Sequence, residues 1–260
     1  KKNRQEQEAG MDGTILEAGA PGGAALLDGS GISLRGMMLL GYQRTGAVSR
    51  RARLAWEAGD TSVMEAEVTA HRDAIFAGVA GAIGLEHQPV RDYLLRRGLS
   101  PRRVLDIGCG AAISDALLRQ DFPLKATLID IEETSRQYHF WNQEGAGYAS
   151  LEEAKAFLRK NGFKSADITA INPRKTPAAL AGLSGDLVTS FFSCGFHYPI
   201  GEYIDLMRRT IDAGGTVILD LRGRYLAAPD AALVRLVEDA DIEILQEMPK
   251  SKRMAFRKPA

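Results

Sequence analysis

From residue 103 onward, short apolar runs alternate with segments of helical periodicity, and this alternation constrains the fold more than any other feature of the 260-residue chain. A strand followed by a helix and another strand is typical of a parallel sheet with crossover connections on its faces. Strands are predicted at 103–107, 125–131, 167–172, 186–192, 216–221, 241–247 and 252–257. Helices are predicted at 113–120, 132–142, 151–161, 201–212 and 230–239.

The link between the last two predicted strands is a short turn containing Pro249 and Lys250. Because a parallel connection needs a long crossover, these two strands must pair antiparallel. We therefore predict an α/β fold, a doubly wound and mostly parallel seven-stranded sheet with an antiparallel last strand, preceded by N-terminal helices.

The residues before the sheet have a different character. Ser62 to Glu65 has the S-x-x-E spacing of a capping box, which predicts a helix to about Gly84, and Pro89 predicts a second helix that ends at Gly98. Residues 1–50 contain 10 of the 27 glycines and only short apolar runs. We expect three parts: a glycine-rich, loosely ordered extension at 1–60, a helical flank at 61–100 and the sheet domain at 101–260.

Composition excludes several classes of protein. The chain is 45% apolar and 25% charged, as in ordinary globular proteins, so dominant disorder is excluded. Lys plus Arg and Asp plus Glu both total 33, so no bulk positive field favours nucleic acid. No apolar run approaches the ~20 residues that span a bilayer, and no secretory signal is evident. We expect a cytoplasmic protein with no membrane partner.

The run Val104-Leu105-Asp106-Ile107-Gly108-Cys109-Gly110 ends the first predicted strand and opens a helix. Glycines in such a turn let a ligand approach the backbone closely. Asp130 ends the next strand, where a carboxylate can accept hydrogen bonds from both hydroxyls of a ribose. Dinucleotide sites need a third glycine or alanine, but this chain has Ile113 there, which disfavours a nicotinamide cofactor.

The motif V-L-D-I-G-C-G, together with Asp130 in Leu128-Ile129-Asp130-Ile131, resembles the cofactor motifs of class I S-adenosylmethionine (SAM)-dependent methyltransferases over residues 85–257. The resemblance implies that the glycine turn faces the methionine part of SAM, that Asp106 lies near its amino group and that Asp130 binds its ribose. Asn172 matches a position that often contacts adenine. The cofactor-binding residues expected on this basis are Asp106, Gly108, Cys109, Gly110, Asp130, Ile131, Asn172 and Ser193.

The segment Ser193 to Pro199 follows the fourth predicted strand and would face the reactive methyl group. His197 is one of only four histidines, and histidine, with an unperturbed pKa of about 6.5, suits the role of a general base near neutral pH. We take His197 and Tyr198 as candidate catalytic residues; alternatively, they are a packing pair that shapes the loop. No cluster of carboxylates follows the fourth strand, so no metal is expected.

Two further groups remain open. The aromatic run 138–141 could line an acceptor pocket or fill the core, and the basic run Arg50-Arg51-Ala52-Arg53 is interpreted as a solvated face. We expect methyl transfer to a small-molecule acceptor, with a hydroxyl oxygen as the receiving atom. The alternatives are an RNA or protein methyltransferase, or a catalytically silent protein that binds the cofactor.

Overall fold

The sheet has seven strands, and its topology confirms the predicted fold class. The computed structural model describes residues 27–134, 141–143 and 147–259. The strands are β1 (Arg103–Ile107), β2 (Lys125–Ile129), β3 (Ile168–Ile171), β4 (Leu187–Ser190), β5 (Thr216–Arg222), β6 (Asp241–Met248) and β7 (Ser251–Arg257). Their order is β3-β2-β1-β4-β5-β7-β6. The first five strands pair in parallel, whereas β7 is antiparallel to both β5 and β6.

Helices pack on both faces of this sheet. They are α1 (Leu34–Gln43), α2 (Arg50–Glu57), α3 (Ser62–Arg96), α4 (Ile113–Asp121), α5 (Leu151–Lys160), α6 (Ile204–Asp212), α7 (Gly223–Ala227) and α8 (Ala231–Val237). Successive residues of β1 alternate between the two cores, since Val104 packs with α3 to α5 and Leu105 packs with α6 and α8. Both faces of the sheet are therefore buried, as a doubly wound fold requires.

The described part of the N-terminal region is ordered, so the expectation of a loose extension is wrong for residues 34–57. Seven consecutive residues of α1, from Gly36 to Tyr42, are buried, and the Tyr42 ring stacks on Trp56 of α2 at 5.3 Å. Gly41 allows α1 to pack closely against Val48, because a Cβ on Gly41 would lie 2.6 Å from Val48 Cγ1. Residues 1–26 lie outside the described residues, and the division of the chain at 60 and 100 remains a prediction.

One helix, α3, replaces the two helices predicted across residues 62–97. It runs through Pro89 and has one non-helical residue, His71. Proline removes the N–H that would bond the carbonyl of Leu85, but Leu85 is 49% exposed, so water can satisfy that carbonyl. The helix begins at Ser62 as predicted, yet the Ser62 hydroxyl donates to Asp60 Oδ1 at 2.6 Å rather than forming a capping box.

The link from β2 to β3 differs from the predicted helix at 132–142. Residues 131–134 are not helical, and Glu132 has φ +64°. Most of the predicted helix, with Tyr138, His139 and Phe140, lies outside the described residues. Trp141 packs against Tyr225 with ring centroids 4.9 Å apart. No helix within the described ranges is long and apolar enough to span a membrane.

Candidate functional site

A cavity of about 360 Å³ opens at the carboxyl ends of β1, β2 and β4. Its wall combines the turn after β1, the residues after β2, the segment after β4 and side chains from α1 and α2. The predicted site residues that line it are Gly108, Gly110, Asp130, Ile131, Ser193, His197 and Tyr198. Sheet topology alone brings these distant segments together, since ligands of doubly wound sheets bind at this edge.

The glycine turn is tied to the neighbouring strand. Gly108 has φ +72°, and its N–H donates to the carbonyl of Ile129 at 2.7 Å. A Cβ on Gly108 would lie 1.9 Å from Ser193 Oγ, so this glycine is required by packing. Gly110 differs, because a Cβ there would meet only Gln43 Oε1 at 4.0 Å. Gly110 therefore leaves its backbone accessible from the cavity, as the sequence predicts.

Asp130 meets the glycine turn directly. Its Oδ2 accepts from the Gly110 N–H at 3.0 Å and its Oδ1 from the Glu132 N–H at 2.8 Å. The residue is 8% exposed. Burial raises the pKa of the Asp130 carboxyl to about 6, against the lowering effect of these two backbone hydrogen bonds. The predicted convergence of residues 108–110 with residue 130 is thus present in the fold.

Asp106 lies beneath the cavity and is not part of its wall. Thr189 Oγ1 donates to Asp106 Oδ1 at 2.7 Å. Burial raises the pKa of Asp106. Asp115, in the first turn of α4, is also buried, and burial followed by the negative charge of Asp106 raises its pKa well above the ordinary value. The two carboxyls thus lie close together, and each disfavours ionisation of its neighbour. The sequence did not single out Asp115, because an acidic residue in the first turn of a helix is common and needs no functional explanation.

Asn172 and Cys109 do not line the cavity. The Asn172 amide donates to the Ile131 carbonyl at 3.1 Å and to Glu132 Oε2 at 2.8 Å, and its oxygen accepts from the Arg174 N–H at 2.9 Å. These hydrogen bonds fix the position of the residues after β2. Contact between Asn172 and adenine remains a prediction. Cys109 is a free thiol whose pKa burial raises well above its ordinary value.

The segment after β4, residues 191–199, is folded into a tight loop. Phe192 has φ +49° and Gly195 has φ +87°. The N–H of His197 donates to the Ser193 carbonyl, and the N–H of Gly195 donates to the Tyr198 carbonyl, both at 2.8 Å. The Ser193 and Tyr198 hydroxyls are 3.2 Å apart. This loop presents a row of aromatic side chains to the cavity.

A buried ion pair supports that loop from behind. Arg253 of β7 binds Asp220 of β5 through two hydrogen bonds of 2.7 Å each. Asp220 Oδ2 also accepts from the Phe192 N–H at 3.1 Å, and the Arg253 guanidinium stacks 4.2 Å from the centroid of Phe191. This pair was not predicted from the sequence, because Asp220 and Arg253 lie on different strands and neither strand has an unusual local pattern.

His197 and Tyr198 both line the cavity, as expected. The His197 ring lies edge-on to Phe196 at 4.8 Å, and its backbone carbonyl accepts from the Asn142 N–H at 2.7 Å. Burial raises the pKa of the Tyr198 phenol well above its ordinary value, so that hydroxyl stays protonated.

The N-terminal helices contribute wall residues that the sequence analysis did not identify, namely Gln43, Arg44 and Arg53. Arg44 pairs with Glu86 at 2.6 Å and lies 5.3 Å from the centroid of Phe192. The basic run at 50–53 was the one feature of the sequence that could have pointed to Arg53. It was not assigned to the site because residues 1–60 were expected to be loosely ordered.

The solved structures that the chain resembles include methyltransferases. One is a ribosomal protein L11 methylase from Lactobacillus delbrueckii subsp. bulgaricus, at 17% identity and a TM-score of 0.44, over 66% of this chain and 78% of that chain. Another is the O-methyltransferase TomG from Streptomyces achromogenes in complex with SAM, at 16% identity and a TM-score of 0.43, over 66% and 80%. A third is a precorrin-6y C5,15-methyltransferase from Geobacter metallireducens GS-15, at 16% identity and a TM-score of 0.39, over 61% and 82%.

No protein-family profile matches the sequence, and no curated protein matches it. The similarities to solved structures concern the fold, so the function is inferred from the residues of the cavity.

Proposed function

We propose that this chain is a SAM-dependent methyltransferase that acts on a hydroxyl oxygen of a small molecule. The observation that carries the proposal is the hydrogen bond from the Gly110 N–H to Asp130, which joins the glycine turn and the second-strand acid in the wall of one cavity. A cavity of about 360 Å³ matches the size of sites for small ligands.

The residues of the cavity fit the cofactor. Gly110 leaves open space above the turn, and the buried carboxylate of Asp130 can accept hydrogen bonds from the two ribose hydroxyls. When bound, SAM supplies an electrophilic methyl group on a sulfonium. Gly108, Ile131 and Ser193 complete the surface proposed to hold it, and Asp106 supports the turn from below.

The chain's part in the chemistry is chiefly positioning. The aromatic loop 191–199 and the N-terminal helices close the cavity, which holds the acceptor in one orientation and excludes water. His197 accepts the proton that the acceptor hydroxyl loses, and the protonated Tyr198 phenol orients the acceptor by hydrogen bonding. A positioned base contributes roughly 10² to 10⁴ in rate.

Calorimetric titration with S-adenosylhomocysteine tests the cofactor site. Asp130→Ala should weaken binding by at least about tenfold, because a hydrogen bond to a charged group contributes roughly 1.5 to 3 kcal/mol. Glu152→Ala is the control, since that side chain is 77% exposed on α5. Absence of binding to the native protein, or equal affinity in Asp130→Ala, would contradict the proposal.

A different variant tests the proposed base. His197→Gln should lower kcat by about 10² or more while the affinity for S-adenosylhomocysteine stays unchanged. Unchanged turnover would show that His197 only shapes the loop.

A further inference from the structure

Arg53 of α2 is a cation in the cavity wall that forms no ion pair with any described residue. Its side chain lines the cavity, and its Nε is buried without a hydrogen-bond partner. None of the carboxylates in the described ranges forms an ion pair with it. Arg44, the other arginine of the wall, is paired with Glu86 at 2.6 Å. A buried guanidinium nitrogen without a hydrogen-bond partner costs free energy, so Arg53 is suited to bind an anion that enters from outside.

The cavity supplies no anion for this role. Asp130 is the one carboxylate among the described lining residues. Both of its oxygens already accept backbone N–H groups, and the proposed ribose contact uses its remaining capacity. In the proposed cofactor, the ammonium and carboxylate balance each other, which leaves the sulfonium charge uncompensated. Cofactor and Arg53 together therefore bring two positive charges to a cavity whose one carboxylate among the described lining residues is Asp130, and an anionic second ligand would offset the excess.

The helix that carries Arg53 also attracts anions. Arg50 and Arg51 are exposed, and neither forms an ion pair within the part of the chain that the structure describes. Ala52 and Trp56 of the same helix are buried, so α2 is fixed against the fold, with Arg53 in the cavity wall. A local positive patch on the helix that carries Arg53 raises the concentration of anionic ligands around that helix.

We infer that the methyl acceptor is a small oxyanion whose carboxylate or phosphate group is bound by Arg53. This inference rests on the proposed methyltransferase function and specifies the acceptor class of the same cavity. The planar guanidinium presents parallel N–H donors that suit both carboxylate and phosphate. The hydroxyl of the acceptor would then face His197, across the cavity from the glycine turn.

Inorganic phosphate tests the inference as a probe of the S-adenosylhomocysteine-loaded protein. We expect calorimetry to detect phosphate binding to the native complex and Arg53→Ala to weaken it by roughly tenfold or more. Arg53→Lys keeps the positive charge but lacks the parallel N–H donors of the guanidinium. The affinity of this variant for phosphate should therefore lie between those of the native protein and Arg53→Ala. Arg51→Ala, on the same helix, removes a charge of the patch but not the cavity guanidinium, so it should weaken phosphate binding far less than Arg53→Ala. Thermal unfolding verifies that each variant is folded.

Three outcomes would overturn the inference. The first is a native complex that binds S-adenosylhomocysteine but no phosphate. The second is an Arg53→Ala variant that loses affinity for S-adenosylhomocysteine but not for 5′-methylthioadenosine, because Arg53 would then bind the carboxylate of the cofactor. The third is equal loss of phosphate binding in Arg51→Ala with a steep dependence on salt, which indicates a diffuse patch of the kind that binds nucleic acid. Failure of the native protein to bind S-adenosylhomocysteine would instead refute the proposed function.

Discussion

Gly108 illustrates how a residue can be identified from the sequence for an incomplete reason. The motif marks it as a position of close ligand approach, whereas the structure gives two other causes. The backbone has φ +72°, and Ser193 occupies the space where a side chain would begin. That contact joins the turn after β1 to the loop after β4, so glycine at 108 holds two walls of the cavity together.

Gly108→Ala should therefore destabilise the fold. The left-handed backbone costs roughly 1 to 2 kcal/mol for alanine, and displacement of Ser193 should add about 1 to 3 kcal/mol. Gly162→Ala is the control, because Gly162 has φ +92° but open space around its Cβ position. Urea denaturation should give a larger loss of unfolding free energy for Gly108→Ala. Equal losses would mean that Ser193 moves aside at no cost.

The raised pKa of Asp130 makes cofactor binding depend on pH. Burial raises this pKa to about 6, and the ionised form is the one that accepts from both ribose hydroxyls. Affinity for S-adenosylhomocysteine should fall as the pH drops from 8 through 6 to 5. Asp130→Asn should bind weakly with little of this dependence. An affinity of the native protein that is flat over this range would contradict the role of the Asp130 carboxylate.

The raised pKa of Asp130 also determines how the free energy of unfolding changes with pH. The folded pKa lies above the ordinary value of 3.8, so the folded protein binds the proton more tightly than the unfolded chain. The stabilising contribution is complete below pH 4 and is lost as the pH rises through about 6. Asp130→Asn should remove this contribution from the pH dependence of unfolding.

At the scale of elements, the loop 191–199 depends on strands that lie outside the cavity wall. Asp220 and Arg253 are 0% and 1% exposed, and they couple β5 and β7 to Phe192. Truncating one member leaves the other charged and buried. Their pairing explains how β7, an antiparallel strand between β5 and β6, contributes to the shape of a cavity at the carboxyl ends of the parallel strands.

Arg253→Ala should lower the free energy of unfolding by about 3 to 5 kcal/mol. Arg257→Ala, on the same strand, removes only an exposed bond to the Gly214 carbonyl and should cost less than about 1 kcal/mol. The double variant Asp220→Leu with Arg253→Met should recover part of the loss, since it leaves no unpaired charge. A cost below about 1 kcal/mol for Arg253→Ala would show that water reaches the pair.

The elements differ in how far the sequence determines them. All seven strands were predictable because β-branched and other apolar runs stand out between polar turns, even in β6, which has no buried residue. The helices α1 and α2 were not. Two glycines lower the helix propensity of α1, and its burial on most sides removes its helical periodicity. The helix α2 has only eight residues, and its arginines were interpreted as a solvated face. The stability of both helices comes from packing on α3, and such tertiary contacts leave no local pattern.

At the scale of the molecule, the candidate site is not contained wholly in the sheet domain, because Gln43, Arg44 and Arg53 also line the cavity. The glycine turn, Asp130 and the loop 191–199 could be predicted, since topology places the ends of β1, β2 and β4 at one edge. Arg44 and Arg53 could not, because the docking of α1 and α2 over that edge depends on packing across the whole chain. The N-terminal helices thus complete the wall of the cavity.

Ligand binding should therefore stabilise the whole molecule. S-adenosylhomocysteine at 100 times its Kd should raise the free energy of unfolding by about 2.7 kcal/mol. Differential scanning calorimetry should detect the rise in Tm for the native protein, and Asp130→Ala at the same ligand concentration should show a much smaller one. Equal increases in both proteins would mean that the ligand binds away from Asp130.

A crystal structure with S-adenosylhomocysteine is the most direct test of the account. We predict that the ribose hydroxyls lie within hydrogen-bonding distance of the Asp130 carboxylate and that the homocysteine part crosses the turn at Gly108 to Gly110. Electron density for the nucleoside elsewhere on the molecule, or a ribose that makes no contact with Asp130, would contradict it.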